Sequence, residues 1–118
     1  MQGWVVKKII TLLFVFIVTG CAGMEELRQR AADNKFESDK PAQEVANCIL
    51  YGWQEKSQTY GSVFIQPAKD GWSVYSAGQL ELVDVISTGD KTNISFYHQG
   101  GMFKYRIDNR INSITSCI

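Results

Sequence analysis

The sequence predicts an α+β fold: an antiparallel sheet of four to five strands with an N-terminal and a C-terminal helix packed on one face. Three observations carry this reading. Apolar residues recur at helical spacing from Pro41 to Ser57, they alternate between Ser62 and Ile107 with turn residues at short intervals, and helical spacing returns toward Ile118. Helices flanking a run of hairpin-linked strands each bury an apolar stripe on the same sheet face, which gives a two-layer domain.

The first helix lies in "PAQEVANCILYGWQEKS". Pro41 suits a first helical turn, Ser38 or Asp39 stands near the cap, and Glu44 adds favourable negative charge there. Val45, Ala46, Cys48, Ile49, Leu50 and Trp53 form a broad apolar face. Gly52 marks either close packing or the approach of the helix end.

After Tyr60-Gly61 the period changes. "SVFIQ", residues 62–66, is a first strand, and Pro67–Gly71 a turn whose Asp-Gly pair tolerates positive φ. Trp72–Ser76 is the second strand, with Trp72 and Val74 on one face and Tyr75 on the other. In Leu80–Ile86 alternation falters: Leu80 and Leu82 share one face, Val83 and Val85 the opposite one. Either both faces are partly covered or a bulge shifts the register.

Gly89-Asp90 turns the chain into Thr92–His98, with Ile94 and Phe96 inward. Gln99-Gly100-Gly101 is expected to close another hairpin, with Phe103, Tyr105 and Ile107 on a last strand. Ile107, Ile111, Ile114 and Ile118 then recur at helical spacing, with Asp108 as a cap, so the chain ends in a short helix carrying Cys117.

Upstream, the apolar run Ile9–Val18 follows Lys7 and Lys8 and precedes the small residues Thr19 and Gly20, the order of an export signal. It falls short of the roughly 20 apolar residues a transmembrane helix needs, although a signal-anchor helix starting at Trp4 is the alternative. Val18-Thr19-Gly20-Cys21 resembles the bacterial lipobox. The resemblance implies that residues 1–20 are a cleaved signal peptide and that Cys21 is the lipidation site, bearing a diacylglyceryl thioether and usually an amino-terminal acyl chain such as palmitate. Several chains make such an anchor durable. Ala22, in place of an inner-membrane retention aspartate, points to the bacterial outer membrane, with the domain facing the periplasm. Together with "VANCI…W" and the cysteine near the end, the motif is similar to that of small lipoproteins of bacteria and their prophages, a resemblance that carries no catalytic residues.

In that oxidising compartment the two remaining cysteines, Cys48 and Cys117, are expected to pair, stapling the two helices; the alternative is two separately buried thiols. Residues 21–40 comprise the lipidated cysteine and "AGMEELRQRAADNKFESDK", whose large apolar residues are only Met24, Leu27 and Phe36. This segment reads as a flexible tether, with a short helix from Glu25 to Ala32 as an option, or as a stretch that folds on a partner. A disordered chain of that length would hold the domain, residues 41–118, about 25 Å from the bilayer.

The chain has 12 basic and 12 acidic residues, and Lys7 and Lys8 leave with the signal, so the mature chain is slightly acidic. With no Lys/Arg cluster after Cys21, the charge argues against both nucleic acid and an anionic membrane surface as partners, since each wants a basic patch. His98 is the sole histidine, and two lone cysteines lack zinc-ligand spacing, so no metal and no cofactor are expected. Glu81 and Asp84 point to opposite strand faces, wrong for paired carboxylate work. No serine lies in a nucleophile elbow, Gly100-Gly101 opens no phosphate-binding helix, and Asn93-Ile94-Ser95 is an accidental glycosylation triplet in a bacterial protein. The positive hint is aromatic: Tyr75 and Tyr97, with Phe64 or Tyr105, stand on the sheet face away from the helices and form a candidate partner surface. The expectation is therefore a non-enzymatic protein-binding module or envelope adaptor, with an envelope protein as partner. An inhibitor, immunity or superinfection-exclusion lipoprotein, working through the Pro67–Gly71 and Ser87–Lys91 loops, is the alternative.

Overall fold

The structure is a computed structural model that describes residues 23–118. The expected signal peptide, residues 1–20, and Cys21, the expected lipidation site, lie outside the described residues. The elements are helix α1 (Gly23–Gln29), strand β1 (Asn34–Ser38), helices α2 (Ala42–Gln54) and α3 (Ser57–Tyr60), strands β2 (Val63–Ala68) and β3 (Gly71–Ser76), a 3-10 turn (Ala77–Gln79), strands β4 (Glu81–Thr88) and β5 (Lys91–His98), and helix α4 (Lys104–Ser116). Five antiparallel strands lie in the order β1-β5-β4-β3-β2.

The main core lies between one sheet face and helices α2 and α4. Two cross-strand rows supply the sheet side, Ile65–Val74–Val83–Phe96 and Trp72–Val85–Ile94–Phe36. Val45, Ala46, Ile49, Leu50 and Trp53 of α2 and Ile107 and Ile114 of α4 close over them. Cys48 and Cys117 form a disulfide between α2 and the residue that caps α4. Gly52 marks close packing: a Cβ there would come within 3.1 Å of Ser113 Oγ on α4. The helices start without side-chain caps, on Pro41 for α2 and Phe103 for α4, where Ser38 or Asp39 and Asp108 were expected.

Two expectations are corrected. Residues 23–38 are not a free tether. Strand β1 pairs with β5 along its whole length, from Asn34 opposite Phe96 to Ser38 opposite Thr92, and Leu27 is buried. Edge pairing rests on backbone hydrogen bonds, which a charged sequence such as NKFES satisfies as well as an apolar one. The other correction concerns the C-terminal region: there is no hairpin at Gln99–Gly101 and no strand at Phe103–Ile107. Helix α4 begins at Lys104, because Ile107 belongs to the apolar stripe with Ile114 while Phe103 and Tyr105 point outward. The fifth strand is β1.

The faltering alternation in β4 reflects coverage of both faces. Leu82 is fully buried outside the main core, on the second face, where α1 brings Leu27 and Arg28. The β2–β3 hairpin also differs in detail from expectation. Asp70 takes the positive φ, 62°, whereas Gly71 is required because β4 passes so close that a Cβ would lie 1.9 Å from the Val85 carbonyl oxygen.

Candidate functional site

The sheet register places the residues of the expected aromatic surface. Phe64, Tyr75, Leu82 and Tyr97 face one another in a single row across β2, β3, β4 and β5, on the face away from α2 and α4. Tyr75 and Tyr97 therefore share a surface as expected, with Leu82 buried between them. Phe64 is 46% exposed on the outer strand and stacks on Tyr75 with ring centroids 5.4 Å apart. β2 is an edge strand, and Pro67 interrupts its donors. The row thus ends in an exposed Phe64 stacked on a half-buried Tyr75, beside an unpaired strand edge.

Tyr105 does not join this surface. It sits in the first turn of α4, 63% exposed, stacked on Phe103 at 5.5 Å and tilted against Tyr60 at 6.5 Å. The sheet stands between it and Tyr75, because a helical start at Lys104 moves residue 105 to the helix-bearing layer.

Helix α1 is clamped onto the second face by one side chain. Arg28 donates from Nε and Nη2 to the two oxygens of Asp84, at 2.9 and 3.0 Å, and from Nη2 to Ser73 Oγ at 3.0 Å. Ser73 in turn donates to Asp84 at 2.6 Å. The bonds to Asp84 raise the Arg28 pKa above its ordinary value against the opposing effect of burial. Farther along, Arg30 donates to the His98 carbonyl and the Asp33 carboxylate accepts from the His98 amide. His98 is thus half-buried at a strand end; its Nδ1 meets the Gln99 carbonyl and its Nε2 stays 3.8 Å from Asp33.

Glu81 and Asp84 do point to opposite faces. Asp84 holds Arg28, while Glu81 is fully buried under α4 and accepts from Arg106 Nε and Nη2 at 2.9 and 3.0 Å and from Arg110 Nε at 2.6 Å. Arg110 is likewise fully buried, donates to the Trp53 carbonyl, and lies 4.8 Å over the Trp53 ring and 5.4 Å from that of Tyr60. Burial lowers the Arg110 pKa, and the bond to Glu81 opposes the shift. Two arginines against one carboxylate leave a positive excess, which the faces of Trp53 and Tyr60 stabilise. Sequence reasoning missed this cluster. The available signal was Arg110 standing on the apolar stripe of Ile107 and Ile114, where a solvated charge is out of place.

Among the described residues no His/Cys/Asp/Glu cluster is arranged to hold a metal ion, and no helix is long and apolar enough to cross a membrane. No family model, curated protein or solved structure matches the chain.

Proposed function

We propose that the protein is a lipoprotein of the bacterial outer membrane, lipidated at Cys21 and facing the periplasm, that serves as a non-enzymatic binding module for an envelope protein. The observation that carries the binding role is Phe64, exposed on the free edge strand and stacked on Tyr75 of the neighbouring strand. Stacked aromatics on rigid strands give a large contact area at little cost in conformational entropy, and an adjacent strand edge offers backbone groups for an added strand. The buried ion cluster, the disulfide and the α1 clamp all act to hold this surface rigid.

An inhibitor that inserts a protruding loop is less well supported. The two loops it would use are two-residue turns, Lys69-Asp70 and Gly89-Asp90, bounded by paired strands.

The test places a photo-crosslinking side chain at position 64 of the lipidated protein in intact envelopes, with the Cys21→Ser form run beside it. One crosslinked species, lost on Tyr75→Ala, is expected; no crosslink at 64 overturns the surface. Cys21→Ser should leave the membrane fraction, and its retention there would favour the signal-anchor alternative.

A further inference from the structure

We infer that the domain does not swing on a tether but rests on the bilayer, with the end that carries Phe103 and Tyr105 seated at headgroup level. The inference depends on the lipidation of Cys21 proposed above and deepens it by assigning the surface that meets the lipid.

The first observation is the length of chain outside the described fold. Helix α1 begins at Gly23 and is docked through Leu27 and Arg28, so only Ala22 separates it from Cys21. A backbone spans at most about 3.5 Å per residue, which keeps the lipid-bearing Cα within about 7 Å of Gly23. The fold removes the slack that the composition of residues 21–40 had promised. Lipid and domain are coupled almost directly.

Topology then identifies the end of the domain involved. Gly23 abuts Gln79, where a Cβ would lie 2.9 Å from Gln79 Oε1, in the turn that joins β3 to β4. The Gln79 carbonyl accepts from Gln99 Nε2, and the Gln99 amide donates to the Leu80 carbonyl, so the β5–α4 connection lies at the same end of the sheet. Ser62, just after α3, joins them through the bond from the Ala77 amide. That connection runs directly into Phe103 and Tyr105, 68% and 63% exposed and stacked on each other.

The two ends of the sheet differ in what they expose. At the far end stand the turns Lys69-Asp70 and Gly89-Asp90 and the Asp39–Lys91 ion pair, with no aromatic side chain among them. At the near end the exposed Phe103–Tyr105 pair stands where the chain leads to its lipid, beside the acidic first turn of α1 and the Arg30, Asp33 and His98 group, and Lys104 is held by Asp108. Aromatic side chains with one apolar and one wet boundary favour the membrane–water interface. A protein partner on Phe103 and Tyr105 would have to compete with the bilayer for that end, so the lipid surface is the occupant.

The experiment uses the mature lipidated protein in protein-free vesicles of phosphatidylethanolamine and phosphatidylglycerol, some of whose acyl chains are brominated close to the glycerol. Phe103→Trp and Tyr51→Trp are compared, each as the difference from the parent protein; Tyr51 is an exposed aromatic on α2, 63% exposed. Loss of fluorescence at position 103 with none at 51 is expected. Equal quenching at both positions, or none at 103 in a protein whose intact mass shows the lipid, overturns the orientation and leaves the lipoprotein reading standing. A mature chain whose mass shows no lipid overturns both. Tyr105→Ala in the Phe103→Trp background, with its melting temperature unchanged, should reduce the quenching; unchanged quenching would also refute the stacked pair as the contact.

Discussion

Replacing Glu81 with Gln removes one charge and almost no volume from a fully buried carboxylate. The carboxylate accepts three guanidinium hydrogen bonds and is fully buried, as is Arg110. An amide keeps one acceptor but turns an N–H toward an arginine N–H, and Arg110 keeps a charge with no counter-charge in a dry site. Breaking a buried pair by removing one partner costs about 3–5 kcal/mol. For a domain of this size 1 kcal/mol moves the melting temperature by about 4–8 °C, so a drop of about 12 °C or more is expected. Thermal and urea unfolding of the Cys21→Ser form measure it. A companion variant, Glu81→Met with Arg110→Leu, removes both buried charges and should recover most of the loss, since an apolar pair of similar volume is often as stable as the ions it replaces. Arg106, at the edge of the cluster with 12% of its side chain exposed, can then reach water. A loss below about 1 kcal/mol for Glu81→Gln, well under that range, would refute the assignment of a charge-compensating role to Glu81.

Reduction of the Cys48–Cys117 bond, which closes a loop with a sequence separation of 69, should lower stability by about 4 kcal/mol on chain entropy; an unchanged melting temperature would mean that the cysteines are unpaired in the native protein. Arg28→Ala leaves Asp84 and Ser73 without their cationic partner and should cost about 1–3 kcal/mol, with faster amide exchange confined to residues 24–38. Exchange that stays slow there would show that Leu27 and the β1 pairing hold the segment unaided. Gly71→Ala forces a Cβ against the Val85 carbonyl and should cost about 3 kcal/mol or more, whereas Gly89→Ala, at φ 74° with nothing within 4 Å, should cost only about 1 kcal/mol. Equal losses would contradict the close approach of β4.

The sequence expresses most strongly what periodicity controls. Strands β2 to β5 and the apolar stripe of α2 follow from spacing, because each buries a face and burial imposes a period. The disulfide followed from a count of cysteines and an expected oxidising compartment. What escaped was held by other forces. Strand β1 joins the sheet through backbone groups that every residue carries, and Phe36 alone gave no pattern to read. Phe103, Tyr105 and Ile107 fit alternation as well as Ile107, Ile111 and Ile114 fit a helix; the helix prevailed because its stripe continues through Ile114 to Cys117 and the disulfide. The aromatic surface was half legible for the same reason. Tyr75 and Tyr97 fall into one row by strand period, whereas the position of Tyr105 depended on where α4 begins. Glu81, Arg106 and Arg110 read singly as surface charges, and only their convergence under α4 makes them a cluster.

The docked N-terminal segment changes what an anchored binding module can reach. On a free tether the domain would sample partners about 25 Å from the bilayer, the distance a disordered segment provides. With α1 and β1 part of the fold, and the near end seated on lipid as inferred, the strands rise from the membrane and the β2 edge becomes a side wall. Phe64 is the second residue of that strand, and a strand rises only about 3.3 Å per residue. The proposed partner surface thus lies close to the headgroups, while the turns at Lys69-Asp70 and Gly89-Asp90 point away from them. A partner that binds Phe64 and Tyr75 must itself extend down to the bilayer surface, as a membrane-embedded or membrane-bound envelope protein does. A soluble hydrolase or toxin would meet the far turns first. Crosslinks from position 64 should accordingly identify a membrane-bound protein, and crosslinks from position 69 should be sparse. The reverse pattern would favour the inhibitor reading over the adaptor.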